Sequence, residues 1–503
     1  MTRMPKRIVA SVVVSLVALS LGGCAGGTSA DAPPQVMLDR EAHYGTRLGE
    51  VRSVWASVDA GELTREQARD LLKTVAWQRG SPEALRLETM RQLLADEAGA
   101  EDTRSMMGFM LQSESRMGHL GVLELIEETA VERGWSEMKA SFVRSLAFEV
   151  PAIDDADRPE YTALAALASD GRATTAVFDV FAGETNPYSI SEKQDQFLNE
   201  RLEAWAVLTR LDPSGERILE LVRSAEIARG LDEGVRELLE DAQQSVSAFR
   251  TVPESAEQLA WVGRLRDGTN TDLWKRGEAM LARLSPEKRE GVRLRHLAGL
   301  LWAEEHLSGS FAMSRGELYR SLDSTLRGVR KYSRERGPSA VDGKRAILYD
   351  WEDELSWADL VLIAVAMEFR NDPGVPGVVF SQADRDHNDR STEYGGAVFG
   401  RGGSFEPRVY PPRPNQRYGD GRFVASDDMI TQSDDAVFHY HFQVQDKTNA
   451  EYAGPSKGDF EYAVRYGRSC LVFTFIDADT LNVDYYQPGG ARIDLGGIAR
   501  PGR

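Results

Sequence analysis

The chain has 503 residues, more than one hydrophobic core organises, which predicts two or three domains. Its 42% hydrophobic and 28% charged residues fit a folded soluble protein and exclude a disordered one. A net charge of −19 leaves no broad basic surface to pair with phosphates, so no nucleic acid is expected as a partner.

The first residues read as a targeting segment. Arg3, Lys6 and Arg7 precede the small and apolar run Ile8 to Leu21, which ends in Leu21-Gly22-Gly23-Cys24. The run is too short, and its flanks are wrong, for a spanning helix, and it reads as a secretory signal. Small residues ahead of a Cys resemble the lipobox of bacterial lipoproteins. That resemblance implies cleavage before Cys24, a signal peptide over 1–23 and lipidation of Cys24. It places the protein outside the cytoplasm, tethered by lipid to a membrane of the bacterial envelope. Residues 24–45, with Gly26-Gly27-Thr28-Ser29 and Pro33-Pro34, read as a flexible linker. With Cys24 lipidated, Cys470 has no intramolecular partner. It opens the run Leu471-Val472-Phe473 and is expected to be a buried small hydrophobe.

Residues 46–340 have the pattern of helices. Thr64-Arg65-Glu66-Gln67 is a capping box, followed by Ala68, Leu71, Leu72 and Val75 at helical spacing. Ser81-Pro82-Glu83 and Ser285-Pro286-Glu287 each read as a cap, a proline at the first helical position and an acid. Helical runs recur to about 335, broken at Gly134, Asp154-Asp155, Asn186-Pro187 and Asp212-Pro213. The series predicts an irregular α-solenoid, resembling HEAT or tetratricopeptide arrays, with an irregular bundle as the alternative. Trp55, Trp77, Trp135, Trp205, Trp261, Trp274 and Trp302 read as inter-helix packing. This region is assigned no chemistry, and by analogy with solenoids it is a surface for a protein partner.

Gly337-Pro338-Ser339 and Asp342-Gly343-Lys344 mark an expected boundary, so residues 341–503 are read as a second domain. A long helix is predicted over 354–370. Strands are predicted over 377–381, 396–400, 405–410, 422–425, 436–444, 470–476, 481–486 and 491–495, with one helix over 456–466. The expected fold class is thus α+β and multidomain: helices first, then a mainly antiparallel sheet packed by helices. Asp384-Arg385-Asp386-His387-Asn388-Asp389 lacks the Gly and Glu of a calcium loop and reads as a polar loop.

The chemistry gathers between 393 and 459. Side chains alternate along a strand, so Phe438, Tyr440, Phe442 and Val444 line one face. Val437, His439, His441 and Gln443 line the other. Two imidazoles at i and i+2 can reach one cation. Asp459 opens a helix in Ser456-Lys457-Gly458-Asp459. It reads either as a cap or as the carboxylate of a two-His, one-carboxylate site with an open water position. Such a site lowers the pKa of a bound water to about 7 and needs a second carboxylate to carry the proton, for which Glu393 is the candidate.

Glu393-x-x-Gly396, then His439-x-His441, then Ser456-x-x-Asp459 is similar to the JAB/JAMM (MPN-type) metalloproteases, here over about 375–495. Glu-Tyr-Gly-Gly and the long gap before Ser456 resemble a bacterial branch of unknown function. The resemblance implies a JAB-like α/β/α domain with zinc as cofactor, held by His439, His441 and Asp459. It makes Glu393 the general acid/base and Ser456 the oxyanion donor. It also implies a peptide or protein substrate cleaved at a peptide or isopeptide bond. Two departures stand out: the 14 residues between His441 and Ser456, and the bulk of Tyr440 between the histidines. The alternative expectation is a non-catalytic envelope scaffold with a degenerate JAB-like domain.

Overall fold

A computed structural model describes residues 33–502 except 79, 115–119, 151–152, 184–186, 189–193, 227–230, 269 and 335–342. Cys24 and the signal-like segment lie outside the described residues. The chain divides into two compact units, Met1–Thr103 and Arg104–Arg503.

The first unit contains α1 (Tyr44–Asp59), α2 (Arg65–Trp77) and α3 (Glu83–Leu94). Thr64 caps α2 as its sequence requires. Gln67 N donates to Thr64 Oγ1 at 3.1 Å, and the Gln67 side chain accepts from Thr64 N at 2.9 Å. Ala68, Leu72 and Val75 are buried on one stripe of α2. Ser81 does not cap α3. Its hydroxyl accepts from the buried Arg47 guanidinium at 2.9 Å, and Pro82 takes the N-cap position with no side-chain bond.

The helical series continues through α4 (Ala100–Glu114), α5 (Leu120–Arg133), α6 (Lys139–Ala147), α7 (Pro159–Leu167), α8 (Ala173–Ala182) and α9 (Gln194–Leu211). It goes on with α10 (Glu216–Ser224), α11 (Glu233–Phe249), α12 (Ala256–Asp267), α13 (Thr271–Arg283) and α14 (Pro286–Arg289). Then come α15 (Leu297–His306), α16 (Ser308–Ala312) and α17 (Arg315–Arg327). The C-terminal part is α18 (Trp357–Asn371), α19 (Val375–Asn388), β1 (Gly395–Arg401), β2 (Ser404–Val409) and α20 (Asp427–Gln432). It closes with β3 (Phe438–Gln443), α21 (Lys457–Tyr466), β4 (Cys470–Asp477), β5 (Thr480–Tyr486) and β6 (Arg492–Ala499). The six strands form one mixed sheet in the order β2-β1-β3-β4-β5-β6. Only β3 and β4 run parallel, joined through α21; the other pairs are antiparallel.

One face of the sheet packs on α18, which is apolar nearly all round because it is enclosed nearly all round. The Ser356–Asp359 capping box starts it, and Asp359 also meets His296 Nε2 at 3.0 Å and Arg295 at 3.2 Å. That core does not stop at the boundary expected near 340. It runs from Phe249, Trp261 and Leu300 through Val361 and Phe369 to Phe473 and Ile493. Gly400 of β1 touches Trp302 of α15 so closely that a Cβ there would overlap the indole.

Three local expectations are corrected. Residues 377–381 are not a strand but part of α19. Val375, Val379 and Ala383 fall at i, i+4 and i+8 and bury one helical face, and this outweighs the β preference of Val378-Val379-Phe380. The same helix takes in 384–388, so that acidic run is its last turns and not a loop. Residues 422–425 form no strand; Phe423 is drawn instead onto the His441 ring.

Candidate functional site

Within β3 the side chains alternate as its sequence dictates, but Val437, just ahead of the strand and expected on the histidine face, is buried in the large core with Phe438. Phe438, Tyr440, Phe442 and Val444 enter the large core, while His439 and His441 lie on the opposite face, each only 2% exposed. Pairing with β1 sets His441 opposite Gly395 and His439 opposite Ala397. Glu393, two residues ahead of Gly395, is thereby brought to the His441 end. The absent side chains matter here. A Cβ on Gly395 would strike the Phe423 ring, and one on Gly396 would strike the Arg408 carbonyl.

His441 and Asp459 come together. The ring Nε2 lies 3.1 Å from Asp459 Oδ1, but its N–H is not aimed at that oxygen, so the contact is an ion pair without a directed hydrogen bond. Burial works against a charged imidazole, yet the adjoining Asp459 and Glu393 carboxylates raise the His441 pKa above its ordinary value. Burial likewise pushes the Asp459 carboxyl up, and the His441 charge with the Ser456 bonds pulls it below the ordinary range. Asp459 Oδ2 accepts from Ser456 N at 2.6 Å and from Gln443 Nε2 at 3.1 Å. Asp459 is therefore both cap and ion-pair partner. Of the two readings of Ser-x-x-Asp, the cap is the one its geometry fits; the other oxygen faces His441.

Glu393 is nearly buried. Burial, with Asp459 and Asp420 nearby, pushes its carboxyl up to about 7, against the opposing pull of His441. Its Oε1 accepts from Gln445 Nε2 at 2.5 Å. Asn449 in turn donates to Gln445 Oε1 at 2.9 Å and to the Gln443 carbonyl at 3.0 Å. Glu393, Gln443, Gln445, Asn449, Ser456 and Asp459 all line one cavity of about 650 Å³. Gln443 and Gln445 continue the parity of the two histidines, and that was the available sign of their placement. Asn449 had no such sign.

His439 does not join them. Its Nε2 is hydrogen-bonded to the Ser433 hydroxyl at 2.9 Å and its Nδ1 to the Tyr462 hydroxyl at 2.8 Å. Burial holds its pKa well below the ordinary value, so the ring is neutral. With both nitrogens engaged, it has no lone pair free for a cation. Among the described residues no group of three or more His, Cys, Asp or Glu side chains is placed to hold a metal. A catalytic zinc takes three protein donors. His441 and Asp459 are adjacent and His439 faces elsewhere, so the expected three-donor set does not fit as placed. His387 also stays apart, with its Nδ1 2.8 Å from the Val444 carbonyl.

Phe423 closes the site from above. Its ring stacks on His441 at 5.5 Å between centroids and 15° between planes, and it also touches Tyr462. Cys470 is buried, as its run predicts. No helix among the described residues is long and apolar enough to cross a membrane. The sequence matches no known protein-family model, no curated protein and no solved structure.

Proposed function

We propose that the C-terminal part of the chain hydrolyses amide bonds, as a peptidase or isopeptidase of JAB-like type carried by an envelope lipoprotein. In this reading the lipid at Cys24 tethers the protein to a membrane, and the solenoid-like helices engage a protein partner. The observation that carries it is the placing of Glu393 and Asp459, far apart in sequence, on the wall of one cavity large enough for a peptide segment, with His441 buried beside Asp459. A carboxyl half-protonated near neutral pH suits both halves of the proton transfer. Glu393 takes a proton from the attacking water and returns it to the leaving amine. The Asp459 and Glu393 carboxylates raise the His441 pKa, and in its charged form the ring offsets the negative charge that develops on the carbonyl oxygen. Ser456, at the cavity wall, is the reserve donor to that oxygen.

The test is turnover of end-blocked peptides and of Lys-linked isopeptides by the full chain. Glu393→Gln should lower the rate by about 100-fold or more while leaving the fold intact. Absence of turnover on both substrate types, or a Glu393→Gln protein as active as the parent, would sink the hydrolase reading. The satisfied state of His439 favours a second reading, a scaffold with a JAB-like domain that performs no chemistry. A chain that holds one zinc and loses it in His439→Ala would count against that scaffold. It would also require the His439 ring to leave Ser433 and Tyr462.

A further inference from the structure

A strap of irregular backbone, Lys331 to Arg334, lies against β5 and β6 and reaches the cavity from outside the stretch that resembles the JAB/JAMM family. Its anchor is unusual. Asp484 and Asp494 are register partners across β5 and β6, and both are fully buried. Two adjoining carboxyls are costly to bury, and burial with Asp494 nearby holds Asp484 well above its ordinary range, so the fold must gain something from them. Their bonds show what it is. Asp494 Oδ2 accepts from Tyr332 N at 2.5 Å and from Ser333 N at 2.8 Å. Lys331 Nζ donates to the Asp494 carbonyl at 2.5 Å, and the Ser333 hydroxyl bonds Asp484. Arg334 N then donates to Ala453 O at 2.9 Å, just ahead of Ser456 and Asp459.

Arg334 is thus tied at its own N–H and through the three residues before it, while its side chain is exposed and lines the cavity. Among the described residues Arg334 has no carboxylate partner. Most other charges on the wall are spent. Arg465 meets Glu257 at 2.7 Å, Asp420 meets Arg390 at 2.8 Å, and Glu461 meets Lys457 at 3.5 Å. Among the described residues Arg422 has only the Tyr418 ring, at 5.6 Å, and Asp446 stands exposed on the cavity wall.

We propose that Arg334 is a specificity-determining residue that binds a carboxylate of the substrate, either a free C-terminus or an acidic side chain. A guanidinium presents paired donors that match a carboxylate, and a fixed backbone removes much of the entropy lost on binding. The proposal rests on the hydrolase reading for the word substrate, but its test is binding alone.

Full-length Glu393→Gln protein is titrated by fluorescence anisotropy with three N-dansyl tripeptides: Gly-Ala-Ala acid, its amide, and Gly-Glu-Ala amide. The first, the third or both should bind at least about tenfold more tightly than the plain amide, and which one does identifies the source of the carboxylate. Arg334→Ala should bring all three to the level of the amide, and Arg334→Lys should keep part of the difference. Asp494→Asn, which loosens the strap with Arg334 present, should shrink the preference. Equal binding of acid and amide, a preference unchanged in Arg334→Ala, or no binding of any peptide would each overturn it. If the preference holds while the parent protein hydrolyses nothing, the hydrolase reading fails and the carboxylate site stands.

Discussion

Two acids near the site keep their protons unusually long. Asp386, buried in α19, accepts from Tyr394 N at 2.9 Å, and burial pushes its carboxyl up to about 8. Glu393 is pushed up to about 7 by the same cause. In the unfolded chain both lose their protons in the ordinary carboxylate range near 4. The folded state therefore binds more protons between about pH 4 and 8, and stability falls as pH rises through that window. Asp386→Asn keeps an oxygen for Tyr394 N and removes the charge. Its Tm gain over the parent should be larger at pH 8 than at pH 5 by about 3 °C or more, measured by calorimetry. A gain independent of pH would show that Asp386 is ionised in the fold. Residues also show where sequence legibility ends. That Asp459 begins a helix is local, since the capping box needs only four residues. That His439 is spent on Ser433 and Tyr462 is not local, because its parity says which way the ring points and not what it meets.

At the scale of elements, β1 is where side-chain absence is functional. A methyl on Gly396 would meet the Arg408 carbonyl and the Tyr440 hydroxyl, and backbone cannot move aside as a flexible side chain can. Gly396→Ala should therefore cost about 2 kcal/mol or more in urea unfolding, as overpacking does. A neutral effect would mean that β2 separates from β1 more easily than its register indicates. Elements were legible where one period dominated. β3 to β6 and α21 fall close to their expected spans because alternation and capping are strong there. At the start of α19, Val378-Val379-Phe380 fits both a strand and a buried helix, and only packing against the core separates the two.

For the whole molecule, the helices from the end of α11 onward share one core with the sheet. Trp261 Nε1 of α12 donates to the Asp434 carbonyl at 3.1 Å, and Gln258 Nε2 donates to the Gly467 carbonyl at 2.8 Å. These bonds brace the backbone beside Ser433 and the end of α21, the wall behind His439. A fragment of 341–503 alone would expose the faces of α18 and β1 that α15 and α17 cover. It should show no cooperative thermal transition and should bind a hydrophobic dye, while a chain beginning near residue 100 should melt cooperatively. A cooperative 341–503 fragment would make the shared core dispensable.

Composition, charge and periodicity by themselves determined that helices come first and a mainly antiparallel sheet last, that β3 turns its two histidines away from the core, and that Ser456 and Asp459 open a helix. Those are statements about neighbours within a few residues, where backbone geometry and the separation of polar from apolar groups act alone. The tertiary structure decided the rest. It joined His441 to Asp459 and Glu393, gave His439 to Ser433 and Tyr462, carried Arg334 to the cavity on the Asp484–Asp494 anchor, and ran the core across the stretch near 340. Each of these depends on which distant surfaces bury one another. A buried ring nitrogen or carboxylate takes whichever partner that packing brings within reach.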